Sequence, residues 1–378
     1  MKNQRSILLF EEAIKSPATK KMYLYQIEKF RTWAKIKDFD SLLQAPTKNI
    51  QELLEDYVFN MKRDVSPNSI PVYFAPLELF FVMNDVNLNF KKISKLFPAK
   101  IKKGNNEAYS LKEIQKLLSH ARTLRNKSLV LLLASSGCRI GAVSDIKLKH
   151  MLKIENSYCI TIYEGEVEED FIFTTPETTE VIDEYLNARK KDGEYVDLES
   201  PLFRSIYRLG IEKVRPCTID ALSHTVGRLV TILERKKVGK TNRFSVARNH
   251  GFRKFYATAI KDVEGVSPTM TEKLINHIGV VQLDGSYYKP TKEKMFEAYK
   301  KCIDVLTIDD SKRHETKLEK VIKEKSELEN VNHVLKETVK EKDSIARKYR
   351  DAVLNTKITD DAINKRIEDL LNQRKNNR

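Results

Sequence analysis

Apolar residues return every three or four positions through residues 16–98, the spacing that gathers them on one face of a helix. In SPATKKMYLYQIEKFRTWAKI the face is Tyr23, Ile27, Phe30 and Trp33 or Ala34, with Ser16 or Thr19 placed to cap it. A second face, Ile50, Leu53, Leu54, Tyr57, Val58 and Met61, predicts a helix over Thr47–Lys62. A third helix begins after SPNS, bracketed by Pro67 and Pro71, and carries Val72, Leu77, Leu79, Phe80 and Phe81. A short fourth segment, LNFKKISKLFP, ends at Pro98. Residues 1–98 therefore read as a helical domain, with Lys20, Lys21, Arg31 and Lys35 on the faces opposite the apolar stripes.

The pattern then breaks. Residues 99–108, AKIKKGNNEA, hold three lysines, a glycine and two asparagines, and read as a basic linker. Tyr109 opens a second domain over residues 109–310. Ser110 with Glu113 three positions on forms a capping pattern for SLKEIQKLLSHAR. A buried helix follows in NKSLVLLLASS, then a tight break at SSG and a new helix from Arg139. YCITIYEGEVEEDFIFTT reads as two strands joined by an acidic turn at Gly165. Helices resume at Glu177–Lys191, near Thr218–Glu234 and from Asn249 onward. The expected fold is mainly α with a small β-sheet. Residues 311–378 lack glycine and proline and carry Leu318, Val321, Leu328, Leu335, Val339, Ala346 and Tyr349 on a heptad seam interrupted by Lys325, Asn332 and Lys342. That tail is a charged helix, suited either to a coiled coil and self-association or to solvation as a single helix.

Charge narrows the function classes. The chain has 378 residues, a formal net charge of +15 and 32% charged residues, a balance that favours nucleic acid or an anionic surface as partner. No apolar run is long enough to cross a bilayer, and the apolar run in MKNQRSILLFEEAIKS is too short for a signal peptide. Cys138, Cys159, Cys217 and Cys302 are scattered without CxxC or Cys–His spacing, which predicts reduced, buried thiols and no metal site. No cofactor motif is present.

The candidate chemistry lies between Arg248 and Pro290. His250 and Arg253 stand one helical turn apart, followed by His277 and the adjacent pair Tyr287 and Tyr288. Arginine matches phosphate geometry, histidine moves protons near neutral pH, and tyrosine supplies an oxygen nucleophile. Upstream, Arg139 in SSGCRIG stands where a helix begins and backbone N–H groups face an anion. Each piece alone is also ordinary. A helix corner can pair its arginine with a carboxylate, and HxxR is common in a basic chain.

In sequence, Arg139, a β-hairpin, His250-x-x-Arg253, Asn276-His277 and Tyr287 together resemble the tyrosine recombinase (integrase) family over roughly residues 16–306. SYYKPTKEKMFEAYKKCIDVLTI is most similar to integrases of archaeal viruses and plasmids. The resemblance implies a core-binding domain at 1–98, an α+β catalytic domain, and a cytoplasmic, nucleoid-associated enzyme that acts as a tetramer on double-stranded DNA without metal or ATP. It implies that Tyr287 attacks a phosphodiester to give a 3′-phosphotyrosine. Arg139 and Arg253 then clamp the phosphate, His250 accepts a proton and His277 donates to a non-bridging oxygen. Tyr287, ten residues after His277 and opening Tyr-x-Lys, is preferred to Tyr288. Two departures stand out. Ala142 sits where the family often has an acid, and the hairpin turn EGEVEED lacks the lysine that protonates the leaving oxygen. Lys147, Lys149 or Lys153 remain as substitutes, and a catalytically impaired DNA-binding protein or a type IB topoisomerase-like relaxase remain as alternatives.

Overall fold

The computed structural model describes residues 5–101, 107–210, 213–238, 244–276 and 289–376. The chain divides into two compact units, residues 1–103 and 104–378.

The first unit is all helical: α1 (Arg5–Glu12), α2 (Pro17–Trp33), α3 (Phe39–Leu43), α4 (Thr47–Asp64), α5 (Ile70–Met83) and α6 (Phe90–Lys95). Ser16 does not cap α2 with its side chain. Pro17 opens the helix instead, its fixed φ and missing N–H suiting the first turn. The stripe on α4 packs inward through Ile50, Leu54, Tyr57, Val58 and Met61. It meets Phe10, Ile27, Phe30, Phe74, Phe80 and Phe81, all buried. Val72 points away from this core and is 52% exposed. Two of the basic residues singled out above are paired, Lys20 with Glu11 (2.7 Å) and Arg31 with Glu28.

The second unit is built around α8 (Leu124–Ser136), whose residues from Ser128 to Ser136 are all buried. An apolar helix this enclosed must spend its few polar groups on partners. Ser128 Oγ donates to the carbonyls of Leu124 (2.8 Å) and Val181 (3.2 Å), and Ser136 Oγ donates to that of Leu132 (2.6 Å). Around α8 lie α7 (Leu111–His120), α10 (Pro176–Lys191), α11 (Ile219–Leu229) and α12 (His250–Lys261). The Ser110–Glu113 capping box forms, with Glu113 Oε2 accepting from the Ser110 N–H at 2.7 Å.

The sheet has three antiparallel strands rather than two: β1 (Met151–Ile154), β2 (Ser157–Ile162) and β3 (Asp170–Phe173), in register at Met151↔Ile160 and Cys159↔Phe173. All four cysteines are free and buried. Beyond α13 (Pro268–Leu274) come α14 (Lys292–Lys300) and α15 (Ile303–Leu306). The chain then enters α16 (Asp310–Asn376), one helix of 67 residues. Glu177, buried on α10, accepts the N–H groups of Ile308 (2.7 Å) and Asp309 (3.1 Å) where this helix starts. Among the described residues no helix is long and apolar enough to cross a membrane.

Candidate active site

The site is assembled at the corner after α8. Gly137 ends that helix in the left-handed region (φ +60°). A Cβ at Gly137 would lie 2.3 Å from the ring of Tyr256, so both the turn and the close approach require glycine. Two residues on, Arg139 occupies the N-cap of α9 (Ile140–Ser144), exposed and without a side-chain cap bond.

Arg253 fastens this corner to the rest of the unit. The residue is only 7% exposed. Nη1 donates to the Gly137 carbonyl (2.9 Å), and Nη2 donates to the carbonyls of Ile275 and Asn276 (3.4 Å), just past the end of α13. Asn276, itself at φ +52°, passes Nδ2 to the Phe171 carbonyl on β3 (3.1 Å). Tyr256 runs parallel to this linkage, its ring beneath Gly137 and its hydroxyl donating to the Leu274 carbonyl (3.2 Å). Three distant stretches of chain therefore meet around one arginine.

The electrostatics are one-sided. Burial lowers the Arg253 pKa from its ordinary value, and the neighbouring Arg139 lowers it further. His250, exposed at the first turn of α12, has its imidazole pKa held below the usual histidine value, first by partial desolvation and then by Lys254, Arg253 and Arg139. The electropositive helix N-terminus acts in the same direction. Among the described residues no carboxylate is bonded to Arg139, His250 or Arg253. Like charges held together with no bonded counter-charge among the described residues favour an anion.

Tyr163 joins this group and was not singled out by sequence. It follows β2 at φ +56°, half-buried, within electrostatic reach of Arg139 and Arg253. Its hydroxyl lies 4.0 Å from where a Cβ at Gly141 would sit, over the first turn of α9. No local pattern marks it, because it reaches the site only through the fold of the sheet.

The turn that follows carries exposed Glu164, Glu166, Glu168 and Glu169. Lys149 Nζ reaches this turn and pairs with Glu164 (3.1 Å) and Glu199 (3.6 Å). Lys147 pairs with Glu199 (2.8 Å). His150 accepts the Lys147 N–H at Nδ1 (3.1 Å), so its Nε2 carries the hydrogen facing Glu164 (3.1 Å). Lys153 is drawn to Asp183 on α10 (3.0 Å). Each of the three lysines proposed as substitutes is thus held in an ion pair. The structure brings Arg139, His250 and Arg253 together. His277, Tyr287 and Tyr288 lie outside the described residues.

No family model matches the chain. Among curated proteins, the tyrosine recombinase XerA of Pyrococcus horikoshii is 24% identical over 297 residues, spanning 78% of this chain and 90% of that protein. Among solved structures, the XerH site-specific recombinase in a post-cleavage complex with its difH substrate is similar at a TM-score of 0.51 and 19% identity, over 74% of this chain and 78% of that one. A lambda integrase fragment bound as a dimer to a COC′ core site gives 0.50 and 13%, over 75% and 92%. The structural likeness is one of fold, and it agrees with the resemblance carried by the order of Arg139, His250 and Arg253.

Proposed function

We infer that this chain, a tyrosine recombinase, breaks and rejoins double-stranded DNA at specific sites and in doing so integrates or excises a mobile element. The observation that supports this best is the convergence of Arg139, His250 and Arg253 on one corner with no carboxylate bonded to them among the described residues. A phosphodiester supplies the missing negative charge, and the transition state adds more of it on the non-bridging oxygens.

In this reading Arg139, exposed and without a side-chain bond among the described residues, meets the phosphate first. Arg253 keeps the corner in place through its carbonyl bonds and lends its remaining N–H donors to the phosphate. Tyr287 is the nucleophile. An ordinary tyrosine titrates near ~10 and needs its proton removed. His250, kept neutral by desolvation and by its cationic neighbours, accepts it. His277 donates to a non-bridging oxygen. The protein acts as a tetramer on DNA. Residues 1–98 form a second DNA-holding body, joined through the basic stretch 99–108, and the tail 311–378 mediates self-association along its heptad seam.

The test is trapping of a covalent adduct on a nicked suicide duplex whose sequence is selected by the protein's own binding. Wild type and Tyr288→Phe should form the adduct and Tyr287→Phe should not. Binding by wild type without any adduct would remove the enzymatic reading, and loss of the adduct in Tyr288→Phe alone would move the nucleophile by one residue.

A further inference from the structure

Breaking a phosphodiester expels a 5′-alkoxide, a strong base that leaves slowly at neutral pH unless a proton reaches it. Such a proton is worth about 10²–10⁴-fold in rate. Lys147, Lys149 and Lys153 are held by Glu199, Glu164 and Asp183. Delivering one of their protons to the corner means first breaking an ion pair.

A different donor already faces the site. Tyr109, Tyr256 and Tyr299 each spend the hydroxyl on a main-chain carbonyl, at 2.9, 3.2 and 2.8 Å. Tyr163 does not. Its hydroxyl makes no hydrogen bond among the described residues and points over the first turn of α9, beside Arg139. The left-handed backbone at Tyr163 turns the ring away from the line of β2 while Glu164 continues toward Lys149 and His150. The turn therefore carries Glu164 away from the phenol, while Glu166 stays within electrostatic reach of it and helps Tyr163 hold its proton.

We propose that the Tyr163 hydroxyl is the proton donor to the departing 5′-oxygen in the strand cleavage described above. The proposal rests on the recombinase reading and adds to it the residue that completes leaving-group chemistry. As the bond from phosphorus to the attacking oxygen forms, the P–O5′ bond breaks and the Tyr163 proton moves to O5′. A phenolate remains beside Arg139 and Arg253, which stabilise it. In rejoining, the phenolate takes the proton back from the attacking 5′-hydroxyl, so the enzyme ends unchanged. The chemistry is matched in strength. A phenol and a lysine ammonium have ordinary pKa values near ~10 and ~10.4, so one substitutes for the other as an acid. Burial raises the Tyr163 pKa while Arg139 opposes the rise, so the proton is present at neutral pH.

The test compares two versions of the selected suicide duplex, one with the natural bridging 5′-oxygen at the scissile phosphate and one with sulfur there. A thiolate leaves without a proton. Tyr163→Phe should form adduct about 10²–10⁴-fold more slowly than wild type on the oxygen DNA and close to the wild-type rate on the sulfur DNA. Lys149→Ala should track wild type on both. Tyr163→Lys, which returns an acid at the same place, should recover part of the loss on oxygen DNA. The thermal melt of Tyr163→Phe should match wild type, since the ring is kept and the hydroxyl makes no hydrogen bond among the described residues. Wild-type rates from Tyr163→Phe on oxygen DNA overturn the proposal. So does a defect that sulfur fails to rescue, which marks a positioning role, or a sulfur-rescued defect in Lys149→Ala, which hands the proton to that lysine. Absence of adduct from wild type on either DNA sinks the recombinase reading itself, and the role of Tyr163 with it.

Discussion

Two helices of the same unit make opposite use of their residues. Leu124–Ser136 is short, and its last nine residues are buried on every side. Asp310–Asn376 is five times as long, and from His314 onward each described side chain is exposed, including Leu318, Leu328, Leu335 and Tyr349. The first helix is fixed by neighbours and ends in the corner that holds Arg139. The second is fixed by its own backbone bonds and a few contacts at its start. Length and regularity do not tell which helix carries the chemistry, whereas enclosure does. An enclosed helix transmits the placement of one atom to the next, and a solvated one transmits only its axis.

Replacing Gly137 with alanine tests the enclosed end most severely. The new Cβ meets Tyr256 at 2.3 Å in a left-handed turn. About 1–2 kcal/mol of backbone cost adds to about 1–3 kcal/mol of overpacking, so urea unfolding should lose roughly 3 kcal/mol and adduct formation should fall with it. A small loss would mean that the corner relaxes freely. Arg253→Lys should come next. It keeps the charge but not the fork that holds Gly137, Ile275 and Asn276. Stability should drop by about 1–3 kcal/mol and adduct rate by roughly 10²-fold or more. Arg139→Lys should match it in rate and leave the melt unchanged, because Arg139 has no structural bond to lose among the described residues.

The pH response of His250 is a smaller effect with a definite sign. Its folded pKa lies below the ordinary value of about 6.5 because of desolvation and the nearby cations. The imidazole is therefore neutral at pH 7 and becomes charged only as the pH falls further. Adduct rates at subsaturating DNA should rise with pH to a plateau, with a midpoint below ~6.5, and His250→Gln should lose that limb. A midpoint above the ordinary value would show that the cations do not act on this ring. The smallest change in stability should come from ending the chain after His314. Urea unfolding of the body should move by no more than about 0.5 kcal/mol, while sedimentation of the DNA-free protein reads whether the exposed seam was holding copies together.

Much of the scaffold was legible because its signals are local. The Ser110–Glu113 box, the stripe on Thr47–Asp64 and the buried run Leu129–Leu133 each announce themselves within a few turns of helix. Arg139 and the His250–Arg253 pair were found by spacing and by resemblance together. The strand Met151–Ile154 was missed. Four residues, one of them a lysine, are too few to show alternation, and it forms because Ser157–Ile162 offers it a partner. The ion pairs that hold Lys147 and Lys149 were hidden because Glu199 lies about fifty residues away in the chain. Tyr163 was invisible for the same reason. Its place beside Arg139 depends on a left-handed residue at the end of a strand, and nothing in the sequence around it records that.

At 1.5 Å per residue the last helix is roughly 100 Å long, and it leaves the body at Ile308–Arg313. There Glu177 holds two backbone N–H groups, Lys312 pairs with Glu180, and Arg313 grips the Thr307 carbonyl. Mechanically this is a rod clamped at one end. A load placed anywhere along it arrives as torque at Glu177, on the same helix Pro176–Lys191 that packs against Leu124–Ser136. Whatever grips the far end of the rod pulls, through Glu177 and Glu180 on one helix, on the wall behind the corner.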